Sequence, residues 1–166
     1  MKIKFFLWQI FNNKLQCAVS LVKRGWRGGD SCCLGDGSES VNHIFFGCCV
    51  ARMVWGFLQE IFKWNNYLTS LKDFSDSWTQ GKGPLPTRLI LFVFAGFAWA
   101  IWINRNRMAI QYPSDIIYSA VTFMQKWSIL LKEDDWVRVK QVKDDIVLWI
   151  GDFKPTVFSS TDVVEI

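Results

Sequence analysis

Apolar residues recur at three- and four-residue intervals along most of the chain, the spacing that places them on one face of an α-helix. Leu68, Leu71, Phe74 and Trp78 show this pattern clearly. It predicts helices over residues 3–12, 15–24, 41–63, 67–79, 87–110, 115–132 and 136–151. The sequence therefore predicts an all-α fold, a compact domain of about six helices.

Helix boundaries are indicated by a few residues with special backbone or capping properties. Gly25 is placed to end the second helix, and Ser40 to cap the third. Gly47 interrupts that third helix, while Pro113 ends the long fifth one and Ser114 caps the next. Between the second and third helices, glycine, aspartate and serine dominate the sequence, which predicts a loop.

Composition and length fit one folded unit with a linker and a tail. The chain has 166 residues, of which 51% are hydrophobic, and includes ten tryptophans and fourteen phenylalanines. That is enough apolar material for a core. Residues 1–80 are predicted to form a first domain, 81–86 a Gly/Pro linker, 87–153 a helical region packing on that domain, and 154–166 a tail.

The most unusual segment is residues 89–103, fifteen apolar residues without a polar interruption. A helix of this length spans about 22 Å, which is short of the roughly 30 Å hydrocarbon core of a bilayer. Three interpretations stay open: a buried central helix, a helix that binds a hydrophobic partner, and a membrane-associated helix. The interaction residues predicted here are aromatic: Phe92, Phe94, Phe97, Trp99 and Trp102.

Charge is unevenly distributed. The net charge is +4, but the first 29 residues contain six basic residues and no acidic one: Lys2, Lys4, Lys14, Lys23, Arg24 and Arg27. A basic, acid-free N-terminus is typical of mitochondrial leaders, and equally compatible with a first core helix. Five cysteines, an odd number, favour a reducing intracellular compartment. Localisation is therefore predicted as intracellular, either mitochondrial or cytoplasmic and nuclear.

Cysteine and histidine cluster between residues 32 and 49 in a pattern close to that of a zinc knuckle. His43 and Cys48 have the spacing of its second half, but its first half needs two cysteines two residues apart. Cys32 and Cys33 are adjacent here, so their side chains diverge. Structural zinc requires four ligands in a tetrahedron. The sequence predicts a degenerate site at Cys32, Cys33, His43 and Cys48, weak or without metal, with zinc as the one cofactor to consider.

This segment and its flanks resemble the zinc-binding domain that follows the reverse transcriptase in plant non-LTR retrotransposons. Residues 2–9 resemble the family's Lys-x-Lys-x-Phe-x-Trp phrase, and residues 45–55 its Phe-Phe-x-Cys-x-x-Ala-Arg-x-x-Trp phrase. Residues 99–107 resemble its Trp-x-x-Trp-x-x-Arg-Asn run. The resemblance implies a helical, degenerate and free-standing relative of that domain, with an ancestral role in handling RNA or DNA.

Nucleic-acid binding is also suggested by a short run that interleaves basic and aromatic side chains, as single-strand binders do. Its residues are Lys23, Arg24, Trp26 and Arg27. Arg105 and Arg107 add a second basic cluster. The small net charge, with an acidic C-terminal region, is a weak electrostatic footprint for a nucleic-acid binder.

Catalysis is not predicted. The single histidine, His43, lacks an acid that would orient it beside a cysteine nucleophile. The paired acids at 134–135 and 144–145 are neighbours on a helix that alternate with lysines, as on a solvated face.

The leading hypothesis is a non-enzymatic, retroelement-derived protein that binds a protein partner through an aromatic helical surface. With a mitochondrial leader, that partner would be a mitochondrial or membrane protein, and the chain an interfering or toxic factor. The alternatives are a single-stranded nucleic-acid-binding module and a decayed fragment without a function.

Overall fold

The computed structural model describes residues 2–33, 36–63, 68–79, 85–107 and 113–152, and within these ranges the protein is all-α, as predicted. The α-helices are α1 (Lys2–Phe11), α2 (Ala18–Val22), α3 (Cys49–Phe62), α4 (Leu71–Thr79), α5 (Thr87–Arg107), α6 (Pro113–Trp127) and α7 (Glu133–Asp152). A π-helix, His43–Gly47, precedes α3, and a 3₁₀ helix, Ser128–Leu130, precedes α7. Most of the predicted linker and the whole predicted tail lie outside the described residues.

The predicted helix over residues 41–63 is divided in two, as Gly47 indicated. The π-helix ends at Gly47, and Cys48 has extended backbone angles before α3 begins. Ser40 caps the first piece, because its Oγ accepts a hydrogen bond of 3.0 Å from the His43 N–H group. Gly25 follows α2 with a φ of +91°, which fits its predicted role as a helix stop.

The second helix is shorter than predicted. α2 begins only at Ala18, because Cys17 is extended. The Ala18 N–H group donates a 2.9 Å hydrogen bond to the Glu39 carboxylate, which satisfies one of the amide groups left over at a helix start. A contact from a distant loop thus sets where this helix begins.

The core is built around α5. One cluster of buried side chains runs from Phe6 on α1 to Ile146 on α7 and includes much of α5. α5 packs most extensively on α6, and Gly96 permits their close approach. A Cβ atom at Gly96 would lie only 2.9 Å from the Cγ atom of Met124.

Stacked aromatic rings fill the centre of that core. The ring of Phe94 lies 4.1 Å from that of Phe74 and 5.5 Å from that of Trp55, measured between centroids. Trp55 also stacks on Phe46 and donates its indole N–H to the backbone carbonyl of Phe45. The π-helix, α3, α4 and α5 therefore meet at one aromatic stack.

α5 is the one helix in the described ranges that is long and apolar enough to span a membrane. Most of its apolar window is buried inside the protein, and the core helix of a soluble protein meets the same criterion. Of the three interpretations of residues 89–103, the packing of α5 fits the buried central helix. Membrane association through this helix stays a prediction.

Candidate metal centre

Cys32 is positioned by backbone contacts that close the loop between residues 30 and 39. An isolated antiparallel bridge joins Ser31 and Ser38. The Cys32 N–H group donates to the Gly37 carbonyl at 2.9 Å, and the Glu39 N–H group donates to the Asp30 carbonyl. These bonds bring the two arms of the loop together and direct Cys32 toward the π-helix.

Two glycines make room for the imidazole of His43. A Cβ atom at Gly47 would lie 3.2 Å from Nδ1, and one at Gly37 would lie 3.4 Å from Cε1. Gly37 also has a φ of +102°, which disfavours other residues at that position. The Cys48 N–H group donates to the His43 carbonyl at 2.7 Å, which fixes Cys48 beside the ring.

Cys32, His43 and Cys48 converge. One ligand atom from each lies within 4.8 Å of the other two, and the two sulfur atoms are 3.9 Å apart. Two thiolates on a tetrahedral zinc, each with a Zn–S bond of about 2.3 Å, would be separated by about 3.8 Å. The spacing of the sulfurs therefore fits a shared zinc ion.

The buried imidazole of His43 also fits a metal ligand. His43 Nε2 is buried and has no hydrogen-bond partner among the described residues, an arrangement that is costly unless another group satisfies it. Burial, together with the nearby Cys32 and Cys49 thiols, raises the pKa of Cys48 to about 12. The Cys48 thiol is therefore neutral without a metal, and a bound cation must displace its proton to form the thiolate.

The other cysteines lie outside this group. Cys33 and Cys49 are exposed, and Cys17 is buried at the start of α2. All five cysteines are described, and none forms a disulfide. Of the four predicted ligands, the structure brings together Cys32, His43 and Cys48. Cys33 is not grouped with them, since adjacent residues in a turn project differently. Partial burial raises the pKa of the Cys33 thiol, as do neighbouring Glu39 and Cys32.

A buried ion pair, absent from the predictions, attaches this loop to α5. The Glu39 side chain is 2% exposed and receives two hydrogen bonds from the Arg105 guanidinium, one of them 2.9 Å long. Arg105 also lies over the Trp102 ring, 5.3 Å from its centroid. Because Arg105 pairs with Glu39, it does not form the basic cluster with Arg107 that the sequence predicted. The only signal in the sequence was that Glu39 is one of three acidic residues in the glycine-rich loop, with Asp30 and Asp36.

The residues predicted for nucleic-acid binding are exposed. Lys23, Arg24 and Arg27 face solvent, and Trp26 is 52% exposed. The indole of Trp26 lies against Gly28, where a Cβ atom would overlap it. The structure thus keeps these four side chains on one accessible loop after α2.

The predicted aromatic interaction residues of α5 divide into two groups. Phe94 and Phe97 are 1% and 0% exposed and belong to the core, because α5 is surrounded by other helices. Phe94 and Phe97 are therefore not accessible to a partner in this fold. Phe92, Trp99 and Trp102 are partly buried and border the core.

The comparison with known families bears on the first third of the chain. Residues 1–55 match the family model described as zinc-binding in reverse transcriptase. The match contains Cys32, His43 and Cys48 and ends at Trp55. It confirms the resemblance to a reverse-transcriptase zinc-binding domain over these residues. A plant origin and a degenerate site stay predictions. No curated protein and no solved structure matches the chain.

Proposed function

We propose that this protein binds one zinc ion through Cys32, His43 and Cys48, and that the ion holds the loop against the π-helix. The convergence of these three ligand atoms within 4.8 Å carries the proposal. The buried Nε2 atom of His43 and the similarity of residues 1–55 to a zinc-binding region support it. With three protein ligands rather than four, we expect binding weaker than that of a complete structural site.

The test is metal content after purification without chelator, with Cys32→Ser as the ligand variant. Cys32 is only partly buried, so the variant should fold. The control is Cys49→Ser, which replaces an exposed thiol outside the group. We expect roughly one zinc per chain in the wild type and in Cys49→Ser. Cys32→Ser should lose most of it. Equal zinc in both variants, or none in the wild type, would overturn the proposal.

We propose further that the chain is not an enzyme and acts by binding a protein partner. His43, its single histidine, is grouped with two thiols, an arrangement suited to holding a metal. One acid of each pair has a side-chain partner: Asp135 accepts two hydrogen bonds from Arg88, and Asp145 accepts one from Gln141. Exposed apolar side chains offer contact area for a partner, among them Ile129, Leu130, Val137 and Leu148.

A mitochondrial or membrane-embedded partner, with the chain as an interfering or toxic factor, is the specific form of this proposal. It rests on the basic, acid-free first 29 residues. Deleting them would remove Phe6 and Ile10 from the core. The sharper test therefore replaces exposed Lys2, Lys4 and Lys14 by Gln in a fluorescent fusion. Mitochondrial signal that is lost in this variant supports the proposal, whereas the same diffuse signal in both proteins contradicts it.

Nucleic-acid binding by the loop after α2 is the second candidate. The half-exposed indole of Trp26 beside Lys23, Arg24 and Arg27 favours it, because stacking and phosphate contacts would come from one loop. Binding to a single-stranded oligonucleotide should fall with salt and with Trp26→Ala. Undetectable binding at low salt would exclude it.

A further inference from the structure

α1 and α5 border an open groove. Its volume is about 350 Å³, within the range of small-ligand sites. Buried Phe6 and Leu15 form its floor. Phe5 of α1 and Trp99 and Trp102 of α5 form aromatic sides. The groove belongs neither to the metal centre nor to the loop of Trp26.

Neighbouring side chains hold the aromatic rings of this groove in place, and Trp99 also contacts the rings of Phe123 and Trp127 on α6. Phe5 is 60% exposed, and its ring stacks on that of Trp8 at 5.7 Å. Trp99 contacts the ring of Phe6 edge-on at 4.9 Å. Trp102 is held by Arg105 over its ring. Flat π-faces held rigidly beside a concave surface are what single strands of nucleic acid use for base stacking.

Polar groups at the groove match the same ligand. Gln9 and Gln16 place amide donors and acceptors on its rim, and Lys2 supplies a positive charge. Among the described residues that line it, none is acidic. The nearby Glu39 carboxylate is buried and paired with Arg105. The positive charge of Lys2 therefore favours an anionic ligand. The amides of Gln9 and Gln16 favour a ligand whose edges carry hydrogen-bond donors and acceptors.

We propose that this groove binds bases of single-stranded nucleic acid, with Phe5, Trp99 and Trp102 as stacking surfaces and Lys2 as a phosphate contact. An anionic membrane would satisfy Lys2 as well. A bilayer surface, however, is contacted by protruding apolar side chains, whereas a concave groove with two glutamines encloses a planar polar ligand. The proposal does not require zinc and does not involve residues 23–27.

The test measures the affinity of the full chain for a fluorescent oligo(dT) by anisotropy, at several salt concentrations. Phe5→Ala should weaken binding about 5- to 150-fold, the range for loss of one stacked base. Phe5→Trp should retain it. Lys2→Gln should reduce the slope of log affinity against log salt by about one. Trp136→Ala is the matched control, since Trp136 is also a half-exposed aromatic but lies on α7.

Three outcomes would overturn the proposal. Circular dichroism of Phe5→Ala checks that the variant is folded, so a change in its affinity reports on the groove and not on unfolding. Unchanged affinity in a folded Phe5→Ala is the first contrary result. Loss of binding in Trp26→Ala alone is the second, and it would assign binding to the loop after α2. Binding to phosphatidylcholine–phosphatidylserine vesicles without binding to oligo(dT) is the third.

Discussion

Arg105, near the end of α5, donates two hydrogen bonds to the carboxylate of Glu39, 66 residues earlier in the chain. Glu39 also accepts the Ala18 N–H group, so one buried carboxylate joins α2, the cysteine-bearing loop and α5. The loop is thereby attached to the core through Glu39. The candidate metal centre depends on this attachment as well as on its own ligands.

Removal of Arg105 should be strongly destabilising. Arg105→Ala leaves the Glu39 charge buried without its partner, which typically costs 3–5 kcal/mol, roughly, in the free energy of unfolding. Urea denaturation measures this loss. Arg107→Ala, at an exposed arginine on the same helix, is the control and should change stability by less than about 0.5 kcal/mol. Similar effects of the two substitutions would contradict the role of the ion pair.

The space beside His43 should matter for zinc affinity. Gly47→Ala places a Cβ atom 3.2 Å from Nδ1 and displaces the ring, so we expect zinc affinity to fall about 10-fold or more. Competition with a chromophoric chelator measures it. Gly56→Ala is the control, because its Cβ atom would meet nothing within 4 Å. That helical substitution should leave zinc affinity unchanged and raise stability by up to about 1 kcal/mol. Equal zinc affinity in both variants would contradict the steric argument.

Phe94 should behave as a core residue and not as a contact for a partner. Phe94→Ala removes the ring at the centre of the aromatic stack and should cost about 3–5 kcal/mol of unfolding free energy. Phe5→Ala, at an exposed phenylalanine, should cost less than about 0.5 kcal/mol. Thermal unfolding of the two variants distinguishes them. A small effect at Phe94 would show that the stack is not formed.

The Asp135 carboxylate should make the free energy of unfolding depend on pH in acidic solution. Hydrogen bonds from Arg88 hold the pKa of Asp135 below its ordinary value of 3.8. The carboxylate therefore stabilises the fold fully above that value, and the contribution is lost as pH falls through the lower, folded-state pKa. The difference in unfolding free energy between wild type and Asp135→Asn should be constant near neutral pH and shrink below about pH 3.8. A difference independent of pH would exclude the pair as its cause.

Local features of this fold were predictable because they depend on nearby residues. Apolar spacing located the helices, and Gly47 marked the break before α3 because glycine loses the most backbone freedom in a helix. The late start of α2 was not predictable, since it depends on Glu39. Periodicity also could not show which aromatic residues of α5 are buried, because every face of that helix is apolar.

The metal centre was likewise predictable from the sequence only in part. The cysteine and histidine spacing identified Cys32, His43 and Cys48 as candidates, and the structure groups these three. In the sequence, Gly37 was interpreted as an ordinary turn residue and Gly47 as a helix interruption, and neither was linked to His43. Their importance depends on where the imidazole lies, which only the folded loop determines.

The segment that resembles a zinc-binding family ends at Trp55, but Trp55 lies against Phe94 and Phe97 of α5, about forty residues later. Core contacts that a peptide of residues 1–55 would need are therefore supplied by a part of the chain that the family model does not contain. The unit that sequence comparison recognises is smaller than the unit that folds. Transfer of this module to another protein would succeed only if its new host supplied a hydrophobic helix to replace α5.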